Sequence, residues 1–171
     1  MKKINALVVL SMLALGACGP RNLMAPPMAA PVDPVAAVAP AVDDDAAIAG
    51  RVLQQINTLR TNIGAPPLSP SPQLDAAALV HSRDMSAQNR AWHWGSDGSS
   101  PLDRAQRQGH TGRLIGENIS ESYEDEIQTL SAWMSARDTR DVIMDPTATQ
   151  LGFARFKEPS GKVWWTLLTS G

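Results

Sequence analysis

The sequence predicts an α+β domain that follows an export segment and a spacer. Three observations predict it. Apolar residues at helical spacing come first after about residue 43, alternating apolar segments close the chain, and the only cysteine lies at position 18, so the domain has no disulfide and must hold by packing alone.

The elements follow in order. Asp43-Asp44-Asp45 places negative charge at a helix N-terminus, where the helix dipole favours it. Ile48, Val52, Ile56, Leu59 and Ile63 form the apolar stripe of that helix, and Gly64 with Pro66-Pro67 ends it. A second helix opens on Ser71 as N-cap and Pro72 in the first turn, with Leu74, Ala77, Ala78, His81 and Met85 on one face. A third, short helix has Ser100 as N-cap, Pro101 in its first turn and Gly109 as its stop. A fourth is predicted from Glu124 to Arg137, with Ile127, Leu130 and Met134 inward and Trp133 in the core. Strands are predicted at Ile115 to Ser120, Leu151 to Phe156 and Lys162 to Leu168, the last two joined by the turn Glu158-Pro159-Ser160-Gly161. Adjacent Trp164 and Trp165 must face opposite sides of a sheet. The domain is predicted over residues 43–171, enough for one core that buries around two-thirds of the chain's surface. No internal repeat is present.

The N-terminus has the marks of export. Lys2 and Lys3 form a positive region, and Ala6 to Leu15 is apolar apart from Ser11. Leu15-Gly16-Ala17-Cys18 follows: a large apolar residue, two small ones that fit a peptidase cleft, then a thiol that can be acylated. This arrangement resembles the lipobox of bacterial lipoproteins. It implies a signal peptide at 1–17, lipidation at Cys18, and a partner membrane reached through that lipid. Gly19 in place of Asp, by resemblance to enterobacterial sorting, favours the outer membrane over the inner one, on the periplasmic or the surface face. Residues 18–42 are mostly Ala, Pro, Val and Met, and the prolines predict an extended, semi-rigid tether. The formal charge of -2 and pI of 5.9, with no basic stripe, exclude a nucleic-acid partner.

Two residues could carry chemistry. His93 sits between Trp92 and Trp94 in a glycine-containing loop, and Glu117 lies in Gly116-Glu117-Asn118 at the start of a strand. An imidazole and a carboxylate brought together make a metal pair or an acid/base pair. No serine or threonine stands in a nucleophile-elbow context.

The order of the motifs is more specific than any one of them. A Leu74-x-x-Ala77-Ala78 helix precedes His93-x-Gly95-x-x-Gly98. Arg104, Gly109 and Gly116-Glu117-Asn118-Ile119 follow, then Trp133-Met134 and Arg140-x-x-Ile143-Met144-x-Pro146. Over residues 48 to 169 this resembles the bacterial branch of the CAP, or SCP, superfamily. The resemblance implies a three-layer α-β-α sandwich with a central antiparallel sheet and a groove above it.

In that family the groove often holds two histidines and two acidic residues that bind a divalent metal. His93 and Glu117 match one of each. Ala136 and Thr139 stand where the family carries Ser or Glu and the second histidine. The resemblance therefore implies a degraded site, with no cofactor expected and at most weak zinc on His93 and Glu117. Asp138 and Asp141 flank Thr139 as possible oxygen ligands. His110 is expected to be an exposed turn histidine, with a compensating ligand role as the alternative. His81 is expected to be a hydrogen-bonded core histidine. Three functions stay open: a non-catalytic binding module with a lipid, glycan or protein ligand in the groove, a metal-dependent hydrolase, or a purely structural envelope lipoprotein.

Overall fold

A computed structural model describes residues 44–171. The signal segment 1–17, Cys18 and the tether 18–42 lie outside the described residues. No helix among the described residues is long and apolar enough to cross a membrane.

Among the described residues, five helices and four strands follow one another. They are α1 (Asp45–Asn62), β1 (Ser69–Pro70), α2 (Pro72–Gln88), α3 (Pro101–Arg107), β2 (Leu114–Glu121), α4 (Glu126–Ser135), α5 (Arg137–Met144), β3 (Gln150–Lys157) and β4 (Val163–Ser170). The sheet order is β1-β3-β4-β2. The β2, β4 and β3 strands are antiparallel, and the two-residue β1 adds a parallel pairing to β3 at Gln150 and Leu151. The sheet is thus antiparallel at its centre, as expected, and mixed at one edge.

The period of two on β4 builds the layers. Val163, Trp165 and Leu167 join Ile48, Val52 and Ile56 of α1, Leu130 and Trp133 of α4, and Ile143 of α5 in the larger core. On the opposite face Leu168 packs with Leu74, Ala77 and Ala78 of α2 and Ala105 of α3. Both adjacent tryptophans are fully buried, one in each direction. The α2 helix lies so close to β3 that a Cβ on Gly152 would sit 2.2 Å from Leu74 Cβ, so only glycine fits there.

Capping bears out the helix starts. The Ser71 hydroxyl accepts from Leu74 N–H, and Ser100 forms a reciprocal capping box with Asp103. Three helix readings need correction. The inward stripe of α1 runs Ile48, Val52, Ile56 and then Arg60, while Ile63 is its C-cap and 64% exposed. The fourth helix is two helices: the backbone is extended at Ala136, and α5 begins at the next residue. The register of α4 also differs, with Glu126, Thr129, Leu130 and Trp133 buried and Ile127 exposed. Asp125 sets that register by accepting from Gln128 N–H as N-cap.

Candidate functional site

Glu117 and Asn118 are neighbours on β2, so their side chains leave opposite faces of the sheet. Asn118 Nδ2 donates to the Thr139 carbonyl of α5 at 2.8 Å. Glu117, paired across the ladder with Leu168, turns toward the α2–α3 layer. There its side chain, only 1% exposed, meets three groups. Arg104 Nη2 donates to Oε2 at 2.7 Å. His93 Nδ1 lies 2.9 Å from Oε1. His81 Nε2 lies 3.7 Å from the same oxygen.

Local sequence explains each placement. Arg104 projects inward from α3, where Nη1 also donates to the His93 carbonyl at 3.1 Å and the Ser99 carbonyl at 3.0 Å. One guanidinium, with its fixed fork of donors, therefore fastens the 93–99 loop to β2. The loop is braced from beneath by Asp84 of α2, which accepts from Ser96 N–H at 2.8 Å and from Gln88 Nε2 at 2.7 Å. Gly98 turns the chain at a φ of +78°, a conformation glycine adopts without strain. Asp97 pairs with Arg107 at the loop's outer edge. Hydrogen bonds from Ser99 and Arg107 hold the Asp97 carboxyl well below the usual carboxylate range.

The His93 ring is 54% exposed. A carboxylate only accepts, so Nδ1 carries the proton toward Glu117 and Nε2 is left for a partner outside. Trp94 beside it is also exposed, whereas Trp92 is half-buried, with Nε1 on Gln88 Oε1 at 3.1 Å and the Arg90 guanidinium 3.7 Å above its ring.

The other candidates do not join this cluster. Ala136 is the exposed break between α4 and α5. The Thr139 hydroxyl donates to the Trp133 carbonyl at 2.6 Å, so it is spent on its own helix junction. Asp138 and Asp141 are exposed on α5, and Asp141 pairs with Arg137 at 3.5 Å. His110 is not the exposed turn residue expected. It is 7% exposed, because Gly109 reverses the chain at a φ of +82° and His110 N–H then bonds back to the Ala105 carbonyl.

The donor set does not fit a metal. Zinc takes three or four His, Cys or carboxylate ligands. Among the described residues no group of three or more His, Cys, Asp and Glu is placed to hold an ion. Arg104, already cationic, occupies the second oxygen of the one carboxylate that a metal would need. The arginine satisfies the negative charge that a divalent ion would satisfy.

Two members of the site escaped sequence reasoning. Arg104 stood out only as a motif residue. His81 is the core histidine expected, its Nε2 at 3.0 Å from the Trp92 carbonyl, yet it is also the second imidazole beside Glu117. Burial pushes its pKa below the ordinary histidine value, against an upward pull from Glu117. The sign of the linkage follows. The unfolded chain, with an ordinary histidine, takes up a proton below about pH 6.5 that the folded chain resists. Stability is therefore present in full above that pH and falls as pH drops through the window beneath it. Urea midpoints at about pH 7.5 and about pH 5.5 are expected to differ, the lower pH being less stable. Equal midpoints would show that His81 protonates in the fold without cost.

A three-layer sandwich with a His–Glu–Arg cluster on its α2–α3 side defines a class. The profile of the Cysteine-rich secretory protein family, CAP, matches residues 53–168, more than half of the chain. The chain belongs to this family, although its sequence holds a single cysteine. An extracellular protein containing an SCP domain from Bacillus anthracis is 23% identical, with a TM-score of 0.67 over 74% of this chain and 41% of that one. An outer surface protein from Borrelia burgdorferi is 14% identical, with a TM-score of 0.61 over 71% of this chain and 90% of that one. A cysteine-rich secretory protein from Staphylococcus aureus is 15% identical, with a TM-score of 0.56 over 74% of this chain and 40% of that one. The chain spans about two fifths of the Bacillus and Staphylococcus proteins. At these identities the likeness is one of fold. Among curated proteins, none matches.

Proposed function

We propose that this CAP-domain protein is an exported lipoprotein, acylated at Cys18 and tethered to the outer membrane, whose domain is a non-catalytic binding module. One observation carries the binding reading. Both oxygens of Glu117 are engaged by Arg104 and His93, so the buried carboxylate holds the loop rather than serving as a base or a metal ligand. What the site offers outward is the free edge of the His93 ring beside Trp94: one hydrogen-bonding nitrogen next to an exposed aromatic surface. That pairing suits recognition of a ligand, and among the described residues no hydroxyl or thiol hydrogen-bonds to Nε2 as a nucleophile for it to activate. The Bacillus protein is extracellular and the Borrelia protein lies on the outer surface, which supports the exported placement.

Native mass spectrometry of the full-length protein, purified from membranes in a non-glycosidic detergent, tests the whole reading. The expected spectrum shows a mature chain beginning at an acylated Cys18. It also carries a noncovalent ligand mass that the His93→Ala variant loses, and it binds no zinc that survives dilution. Zinc at one per chain would replace the binding module with a metalloprotein. An unacylated N-terminus elsewhere would remove the anchor, and a ligand-free wild type would favour a structural role.

A further inference from the structure

On one side of the sheet a strand stops early. β1 runs beside β3 only at Gln150 and Leu151, then turns at Ser71 into α2, while β3 continues to Lys157. Beyond Leu151 no strand among the described residues pairs with that outer edge of β3. Two clefts of about 270 and about 290 Å³ lie along it, and they share Ala46, Ala49, Asp75 and Phe153, so they form one groove between α1 and α2. We propose that this groove docks an extended peptide of a partner protein as an added strand on β3, with small apolar side chains and one lysine or arginine at Asp75. The groove has no residue in common with the cluster around Glu117, so this assignment is independent of the His93 reading.

Backbone chemistry sets the class of partner. A strand residue turns its N–H and its carbonyl to the same side. The Phe153 N–H leaves the ladder and donates to Asp75 Oδ1 at 2.8 Å. The Phe153 carbonyl therefore faces the groove as well. Edge groups of this kind are a template for pairing with another chain. Strand addition draws affinity from such main-chain bonds and specificity from pockets for alternate side chains. The groove follows β3 from Leu151 to Arg155, four strand steps or roughly 13 Å. Pro70 stands at one end and the ion pair of Arg155 with Asp45, at 2.8 Å, at the other. An acyl chain would cover the walls and bring no donor to the Phe153 carbonyl.

The walls set the side chains. Those of an added strand would point alternately to α1 and to α2. On α1 the groove meets Ala46, Ala49 and Gly50, which share one helical face, and a Cβ on Gly50 would touch nothing within 4 Å. On α2 it meets Asp75, Ala76 and Leu79. Asp75 is half-buried, and among the described residues no cation pairs with it. Burial pushes its carboxyl up, against the pull of the Phe153 N–H. Arg155 across the groove is already engaged by Asp45. The groove thus presents one carboxylate short of a counter-charge, set in apolar walls. A lysine or arginine side chain supplies that charge, whereas an acidic peptide or a fatty-acid carboxylate would meet repulsion.

The full-length protein in phosphatidylcholine nanodiscs tests this. The probe is the peptide Val-Ala-Lys-Ala-Val, blocked at both ends and carrying fluorescein on a Gly-Gly spacer. Fluorescence anisotropy reads affinity and hydrogen exchange reads the place. Saturable binding is expected, with exchange slowed in β3 and unchanged in residues 92–99. A peptide with glutamate for lysine should bind roughly tenfold more weakly, and one N-methylated at alternate amides should not bind. Asp75→Asn, whose amide oxygen still accepts from Phe153, should erase the preference for lysine. Gly50→Gln, which clashes with nothing and favours the helix, should abolish binding at an equal or higher thermal midpoint. Equal affinity for all three peptides would overturn the proposal, as would binding that survives Gly50→Gln or that slows exchange elsewhere. Two results would assign the groove to another occupant and overturn it too. One is protection of β3 that rises with protein concentration in the absence of peptide. The other is binding that appears only after residues 18–42 are replaced by a Gly-Ser chain of equal length.

Discussion

Arg60→Met is expected to destabilise the domain by about 3–5 kcal/mol, the range seen when a buried charged group is deleted and its partners are stranded. Arg60 is fully buried. Its guanidinium donates to the carbonyls of Pro66 at 2.8 Å, Ile143 at 2.8 Å, Asp145 at 2.9 Å and Ala148 at 3.1 Å. Burial lowers its pKa, and nearby Asp145 works in the other direction. These four oxygens belong to the loop after α1, the C-terminal end of α5 and the turn into β3, so one side chain caps three segments that have no other common donor. Methionine would fill similar space but take the donor from the Pro66, Ile143 and Ala148 carbonyls and leave Asp145 O with only the Ala148 N–H at 3.1 Å. Arg60→Lys keeps the charge and loses the planar fork, so it should recover only part of the loss. Thermal unfolding of wild type and both variants decides it, with a fall of roughly 10–15 °C expected for methionine in a domain of this size. A drop of only a few degrees would mean that water replaces the guanidinium.

Arg60 also shows where sequence reasoning ends. The stripe Ile48, Val52, Ile56 was legible because apolar residues recur four apart with Gly50 and Gln54 between them, which fits one helical face and breaks a strand's alternation. Its continuation was not, because an arginine in register with a core stripe looks like the stripe's polar border. What buries it is a set of carbonyls, three of them more than eighty residues away. The α2 helix was legible at its start and along its buried face, its cap, first-turn proline and small apolar residues all agreeing, but its end at Asn89 was not. The break at Ala136 was not. Ala136, Arg137 and Asp138 are ordinary helix residues, and the chain parts there because the Thr139 hydroxyl turns back to Trp133 and Asn118 takes the Thr139 carbonyl. The β1 strand is two residues long and ends in proline, too short for any periodicity. At the site, His93 and Glu117 were legible as motif residues, and the structure sets them 2.9 Å apart. The role of Arg104 as their bridge depends on three acceptors spread from residue 93 to residue 117, a pattern that no spacing rule encodes.

That bridge sets the second large effect. Arg104→Met should cost about 3–5 kcal/mol, because it removes the guanidinium from a buried carboxylate whose remaining neighbours are the half-exposed His93 and, further off, His81. Glu117→Gln should cost less, about 1–3 kcal/mol, since the amide oxygen still accepts from Arg104 while the charge is lost. His93→Ala should cost under about 1 kcal/mol, its ring being half in water. Replacing both buried partners at once, Arg104→Met with Glu117→Leu, should be far milder than the sum of the single changes, because no charge is then stranded. Stability alone does not separate a loop anchor from a general core pair, but limited proteolysis does. Arg104 is the member whose Nη1 also holds the carbonyls of His93 and Ser99. The Arg104→Met variant and the double variant should both be cut faster within residues 92–99, even where the double variant unfolds near the wild-type midpoint. Glu117→Gln should be cut at the wild-type rate. If the double variant regained both stability and protection, the guanidinium would be filling space, and the loop that presents His93 would owe its shape to Asp84 and the glycines instead.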